Sequence, residues 1–196
     1  TGGLESQYGL GPAASKVYGI ARGLSIGGYA EGYYRRSESG VDDEADMTRV
    51  VAYLGYKFND WIVFNTEIEF EHGSTSENGS VSVEFATLDF LLMPELNVRA
   101  GEVLIPMGFV NEFHEPPFYY STFRPTAERV IIPSTWRENG LGIFGNLGER
   151  LSYRVYAVNG MVASDFRSSG LRSGRQNGSE AIANDLLKGS REPWGN

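Results

Sequence analysis

The sequence predicts an all-β fold, an antiparallel β-barrel that crosses a membrane, and three observations carry that expectation. The first is alternation. Residues 61–71 read W-I-V-F-N-T-E-I-E-F-E, placing Ile62, Phe64, Thr66, Ile68 and Phe70 on one side of a strand and Asn65, Glu67, Glu69 and Glu71 on the other, since strand side chains point to opposite faces with period two. A soluble sheet turns such an apolar face inward. A membrane barrel turns it to lipid and lines a wet interior with the polar face. The second is the sorting of connections, which run alternately long and short: 37–46, 59–60, 72–80, 94–95, 104–136, 147–149 and 160–196. Soluble meanders have no reason to sort loop length by end of the sheet, whereas outer-membrane barrels keep short turns on the periplasmic side and long loops outside. The third is that aromatics make up 13% and charges only 21% of 196 residues, with no run near the ~18 apolar residues of a membrane helix. Spanning strands need only ~9–11 residues each.

Residues 1–23 are rich in Gly, Ala and Ser, contain Pro12 and hold no lasting periodicity; they read as a flexible lead-in. Residues 24–196 read as the N-terminal part of a barrel domain. The first strand, 24–36, puts Ser25, Tyr29, Glu31 and Arg35 on one face and Ile26, Ala30 and Tyr34 on the other. Its glycines fit bends or close backbone approach in a barrel wall. An acidic loop leads to a strand at 47–58, where Val50, Ala52, Leu54, Tyr56 and Phe58 oppose Arg49, Tyr53 and Lys57. Asn59-Asp60 makes a short hairpin turn lacking the usual Gly. After the polar loop 72–80, the strand 81–93 slips phase near Phe85-Ala86, which a bulge explains. Pro94-Glu95 turns into 96–103, with Asn97 and Arg99 on the polar face. Residues 104–136 hold many aromatics, five prolines and no strand pattern, far beyond an ordinary connection. Strands near 137–146 and 150–159 follow. The rest is polar, with a short helical turn expected around 180–187.

A net charge of -8 argues against nucleic acid as a partner, which needs a basic footprint, and against a polybasic grip on anionic lipid. With no cysteine, disulfide scaffolds, thiolate metal sites and cysteine nucleophiles are excluded. No G-x-S-x-G or H-E-x-x-H motif occurs, and the glycines of 23–32 precede no helix that could cradle phosphate. His114 beside Glu115 is one of two histidines, too few for a tetrahedral set. Neither a metal, nor a cofactor, nor enzymatic chemistry is expected. The charges on the polar strand faces are the candidate pore lining: Glu31, Arg35, Arg49, Lys57, Glu67, Glu69, Asp89 and Arg99. Rings of charge set selectivity in pores; the plainer reading is that they hydrate a wet wall and pair across strands. Folded inward, 104–136 narrows the interior with Glu115, Arg124 and Arg129 as constriction charges; folded outward, it is an aromatic cap.

Several short motifs carry a family likeness. Gly9-Leu-Gly-Pro-Ala-Ala-Ser-Lys-Val-Tyr18 followed by Gly23-Leu-Ser-Ile-Gly-Gly-Tyr29 resembles the approach to the first strand in bacterial outer-membrane porins of the phosphate-selective porin O and P type. Arg99-Ala-Gly-Glu-Val-Leu-Ile-Pro-Met-Gly108 resembles their R-x-G…P-x-G passage into a long third loop. Arg124-Pro125, Trp136-Arg-Glu-Asn-Gly-Leu-Gly142, Asn159-Gly160 and Gly174-Arg-Gln-Asn-Gly-Ser179 add to it. The resemblance implies roughly twice as many strands, a homotrimer, and a loop folded into the pore, so this chain is read as the N-terminal portion of such a barrel. Beginning at Thr1 without a Met and ending in what reads as a loop, it is expected to be a piece of a longer precursor, trimmed at one or both ends. An odd count of about seven strands cannot close a bacterial single-chain barrel. The departure lies in charge: the inferred lumen mixes acids and bases where the best-known members gather lysines, so phosphate selectivity is not carried over.

The function expected is passive diffusion of small hydrophilic solutes or ions through the bacterial outer membrane, with membrane lipid and the solutes as the only further partners. The alternative is a secreted β-sandwich that binds glycans or mediates adhesion through the aromatic loop. A barrel enzyme is weaker still, for want of a nucleophile–base signature.

Overall fold

Seven strands form where the alternation places them. The computed structural model describes residues 5–37, 42–73, 79–121, 123–133 and 135–167. The strands are β1 (Gly23–Arg35), β2 (Glu44–Lys57), β3 (Ile62–Glu71), β4 (Ser80–Met93), β5 (Leu96–Leu104), β6 (Arg137–Leu147) and β7 (Leu151–Val158). They make one antiparallel sheet in chain order, with β1 and β7 at its edges, and it is not closed into a barrel. At 13 residues for β1 and 14 for β2 and β4, these strands are long beside the ~5–6 residues usual in globular proteins. A meander of this kind puts all short turns at one end and all long connections at the other.

The turn after β2 replaces glycine with a side chain. Asn59 Oδ1 accepts from the Trp61 and Ile62 amides at 3.0 and 2.7 Å, the Asx turn that Asn forms with its own following backbone. The slip expected in β4 is a bulge. Glu67 opposes Phe85 while Ile68 opposes Val83, leaving Glu84 unpaired, so Glu84 and Phe85 are both buried on the polar side. A second irregularity lies where β1 meets β2, between Glu31 opposite Arg49 and Tyr33 opposite Asp46; the alternation does not announce it.

Of the segment read as a flexible lead-in, residues 5–22 instead fold onto the sheet. Pro12–Ser15 forms a single helical turn, α1, and Lys16–Gly19 a 3-10 turn, with Pro12 at the position where its missing N–H costs nothing. Leu10, Ala14, Val17 and Tyr18 form one buried cluster with Val51, Tyr53, Val63, Phe85 and Leu104. Asn65 Nδ2 donates to the Ala14 carbonyl at 2.8 Å, and Lys57 Nζ to the Tyr18 carbonyl at 3.2 Å. Gly55 makes room: a Cβ there would stand 2.7 Å from Val17. The helical turn expected at 180–187 and the motif at 174–179 lie outside the described residues.

This segment and the long connection 105–136 both lie on the polar face. Among the described residues, the apolar face has no such layer. Val81, Val155, Ile26 and Phe70 are 66, 60, 57 and 42% exposed, while Glu67 and Asp89 on the opposite face are 1 and 0% exposed. Among the described residues, no helix is long and apolar enough to cross a membrane, which says nothing about strands.

Candidate functional site

Near the short turns, the polar face is sealed. Asp89 and Arg99 are cross-strand partners, and Arg99 Nε and Nη2 reach the two carboxylate oxygens at 2.8 Å each. Tyr18 donates its hydroxyl to Asp89 at 2.6 Å, Arg99 Nη1 donates to the Tyr8 carbonyl at 3.2 Å, and the guanidinium lies 4.8 Å from the Phe144 ring centroid. Burial, then the Asp89 charge, push the Tyr18 hydroxyl well above its ordinary range, so it stays a donor. A buried ion pair is tolerable when its remaining groups are satisfied in this way.

Toward the long loops, the connection 105–136 takes over. Gly108, at φ +82, starts it where a Cβ would strike the Glu128 carboxylate; buried Glu128 accepts the Phe109 amide. Asn111 then stitches the two ends together. Its Nδ2 donates to the Ile105 and Trp136 carbonyls at 2.7 and 2.8 Å, and its Oδ1 accepts the Trp136 amide at 2.6 Å. His114 is buried with both ring nitrogens on acceptors, Nε2 to Glu67 and Nδ1 to the Asn111 carbonyl, each at 3.2 Å. Burial pulls the His114 pKa down, but the Glu67 carboxylate outweighs it and the net shift is upward. The doubly protonated ring suits two acceptors. Glu115 accepts the Tyr53 hydroxyl at 3.0 Å; burial raises its pKa, the Tyr53 hydrogen bond opposes that, and Glu67 adds to it.

Between this connection and the strands remains a cavity of about 460 Å³. Arg49 forms a ladder on its floor, with Nε 2.9 Å from Glu31 and Nη1 3.1 Å from Glu69. Arg137 likewise bridges Glu84 at 3.0 Å and Glu102 at 3.4 Å. Arg124 and Arg129 border the cavity from the loop, Arg124 donating to Thr135 Oγ1 at 2.9 Å.

The expected pore lining therefore divides into four groups. Glu31, Arg49 and Glu69 border the cavity. Glu67 is covered by His114, while Lys57, Asp89 and Arg99 lie under the N-terminal segment; they face the polar side but not open space, because a segment with no sequence period sits on them. Arg35 stands exposed at the strand end, paired with Glu44. Of the loop charges, Arg124 and Arg129 reach the cavity, whereas Glu115 is buried on Tyr53. Sequence reasoning missed Glu84, shifted by the bulge, and Arg137, at the first position of a strand where no alternation is yet established. Among the described residues, no group of three His, Cys, Asp or Glu side chains could hold a metal ion.

No family model matches the chain, and no solved structure is significantly similar to it. An uncharacterized protein of Aquifex aeolicus (strain VF5) is a homologue, 47% identical over 185 residues that make up 91% of this chain and 42% of that protein. The chain thus spans less than half the length of this relative.

Proposed function

We propose that the chain is part of a transmembrane β-barrel of the bacterial outer membrane, a porin resembling the phosphate-selective porin O and P type, through which small hydrophilic solutes or ions diffuse passively. The observation that carries the reading is the inversion of the sheet: among the described residues, charged groups lie beneath protein and large apolar side chains stand exposed. Lipid is the solvent in which that arrangement is stable. Strands β1 to β6 meet the ~9–11 residues a tilted span needs, and β7, at 8 residues, falls just short. Exposed aromatics near both ends of the apolar face, Tyr34 and Phe70 by the long loops and Tyr56, Phe58 and Trp61 by the short turns, suit the interfacial girdles of such barrels. Among the described residues, β1 and β7 are the edges of the sheet and have room for further strands, and the relative has more than half its length outside the matched region.

In this reading the N-terminal segment fills the periplasmic half of the wall's inner side, and 105–136 narrows the outer half, leaving the charged cavity as the passage. A homotrimer is part of the proposal. No bond is made or broken; pore width and charge placement do the sorting. The test is conductance of the full-length protein in planar bilayers. Discrete steps at micromolar protein or below are expected, and a silent bilayer despite verified insertion contradicts the channel.

A further inference from the structure

The cavity has two unlike walls, and we propose that it takes dipolar solutes bearing both an ammonium and a carboxylate group, free amino acids or short peptides. This rests on the channel reading and names its solute class. On the strand wall, acids outnumber bases: Glu31, Glu69, Glu71 and Glu84 line it beside Arg49 and Arg137, with Arg49 bridging Glu31 and Glu69 and Arg137 reaching Glu84. The loop wall brings Arg124 and Arg129 and no carboxylate to the lining, because Glu128 turns into the loop base to accept the Phe109 amide. The field across the gap therefore runs from loop to strands. A simple anion is attracted by one wall and repelled by the other, and so is a simple cation; between walls of protein both effects are stronger than in bulk water. A solute with both charges satisfies both walls at once. Tyr119 and Phe123 border the same space and give an apolar side chain a surface to rest on.

The experiment measures swelling of liposomes holding the full-length protein, with L-alanyl-L-alanine set against its uncharged N-acetyl amide and a small sugar. Calorimetric titration of the same dipeptide onto protein in micelles runs in parallel. Entry of the zwitterion at least fivefold faster than the uncharged analogue is expected. Arg129→Glu should remove that preference and weaken binding at least fivefold. Arg150→Glu, an equal charge change in the turn at the other end of the sheet, should alter neither. Equal entry of both dipeptides with the sugar also entering overturns the inference and leaves the channel standing. If nothing enters, the channel reading falls, and titration decides the site alone: binding that Arg129→Glu abolishes upholds it, and no binding overturns it.

Discussion

On one face of the sheet, Asp89 and Arg99 are closed off by Tyr18, Tyr8 and Phe144, and Glu67 by His114. On the other, Val81 and Val155 stand 66 and 60% exposed, with no described residue layered over them. In water the preference runs the opposite way, since burying apolar area gains roughly 25 cal/mol per Å² and burying charge costs several kcal/mol per ion unless it is paired. The chain nevertheless commits two of its own segments to its charges. Such an allocation makes sense when the apolar face has a solvent of its own. It also separates two kinds of interior polarity: the Asp89–Arg99 pair is a structural staple, and the Glu31–Arg49–Glu69 ladder borders open space.

The largest effect should come from breaking the staple. Arg99→Ala leaves the Asp89 carboxylate buried without its partner and should cost ~3–5 kcal/mol in denaturant unfolding from micelles, while Arg99→Met with Asp89→Leu should recover most of that loss. Next is a charge on the uncovered face. Leu88→Arg, near the middle of β4 and opposite Phe64 on the apolar face, should cost ~2–4 kcal/mol of membrane-inserted stability if it meets the bilayer midplane; a water-exposed position would change by no more than ~0.5 kcal/mol. Gly55→Val drives a side chain into Val17 and should cost ~1–3 kcal/mol as overpacking does. Limited proteolysis should then cut residues 5–22 while the strands stay protected.

The smallest effect is a pH dependence of loop docking. His114 titrates above its ordinary 6.5 when docked, so its contribution is whole below 6.5 and disappears as pH rises through its raised value. Glu115 titrates above its ordinary 4.5, so docking prefers its protonated form and weakens as pH climbs from 4.5 through that raised value. Both shifts have the same sign. Hydrogen exchange over residues 109–132 should be slower at pH 5 than at pH 9 after correction for intrinsic rates, and His114→Gln should reduce the difference.

Much of the sheet was legible because strand period two is a strong signal in segments of 8–14 residues. Even the β4 bulge was visible, since Ala86, Leu88 and Phe90 reverse the parity set before it. The N-terminal segment was not, because a four-residue helix followed by a four-residue 3-10 turn is too short to show a 3.6 period. What holds it is tertiary: Asn65, Lys57 and Asp89 reach it from distant strands. The same fact limited the candidate site. Parity told which charges share a face, as for Glu67 and Glu69, but not which of them the chain would cover. Glu84 and Arg137 meet only after the bulge and the long connection have brought their strands together.

The lipid-facing assignment is most directly tested with spin labels, which the absence of cysteine makes simple to place. Single cysteines at Ser82 and Val83 are neighbours in β4 on opposite faces. In the full-length protein reconstituted in bilayers, a label at 83 should collide freely with dissolved oxygen and scarcely with a water-soluble nickel complex, and a label at 82 should not share that oxygen-rich signature. A label at 83 open to nickel, or shielded from both reagents beneath another layer of protein, contradicts the inversion on which the channel depends.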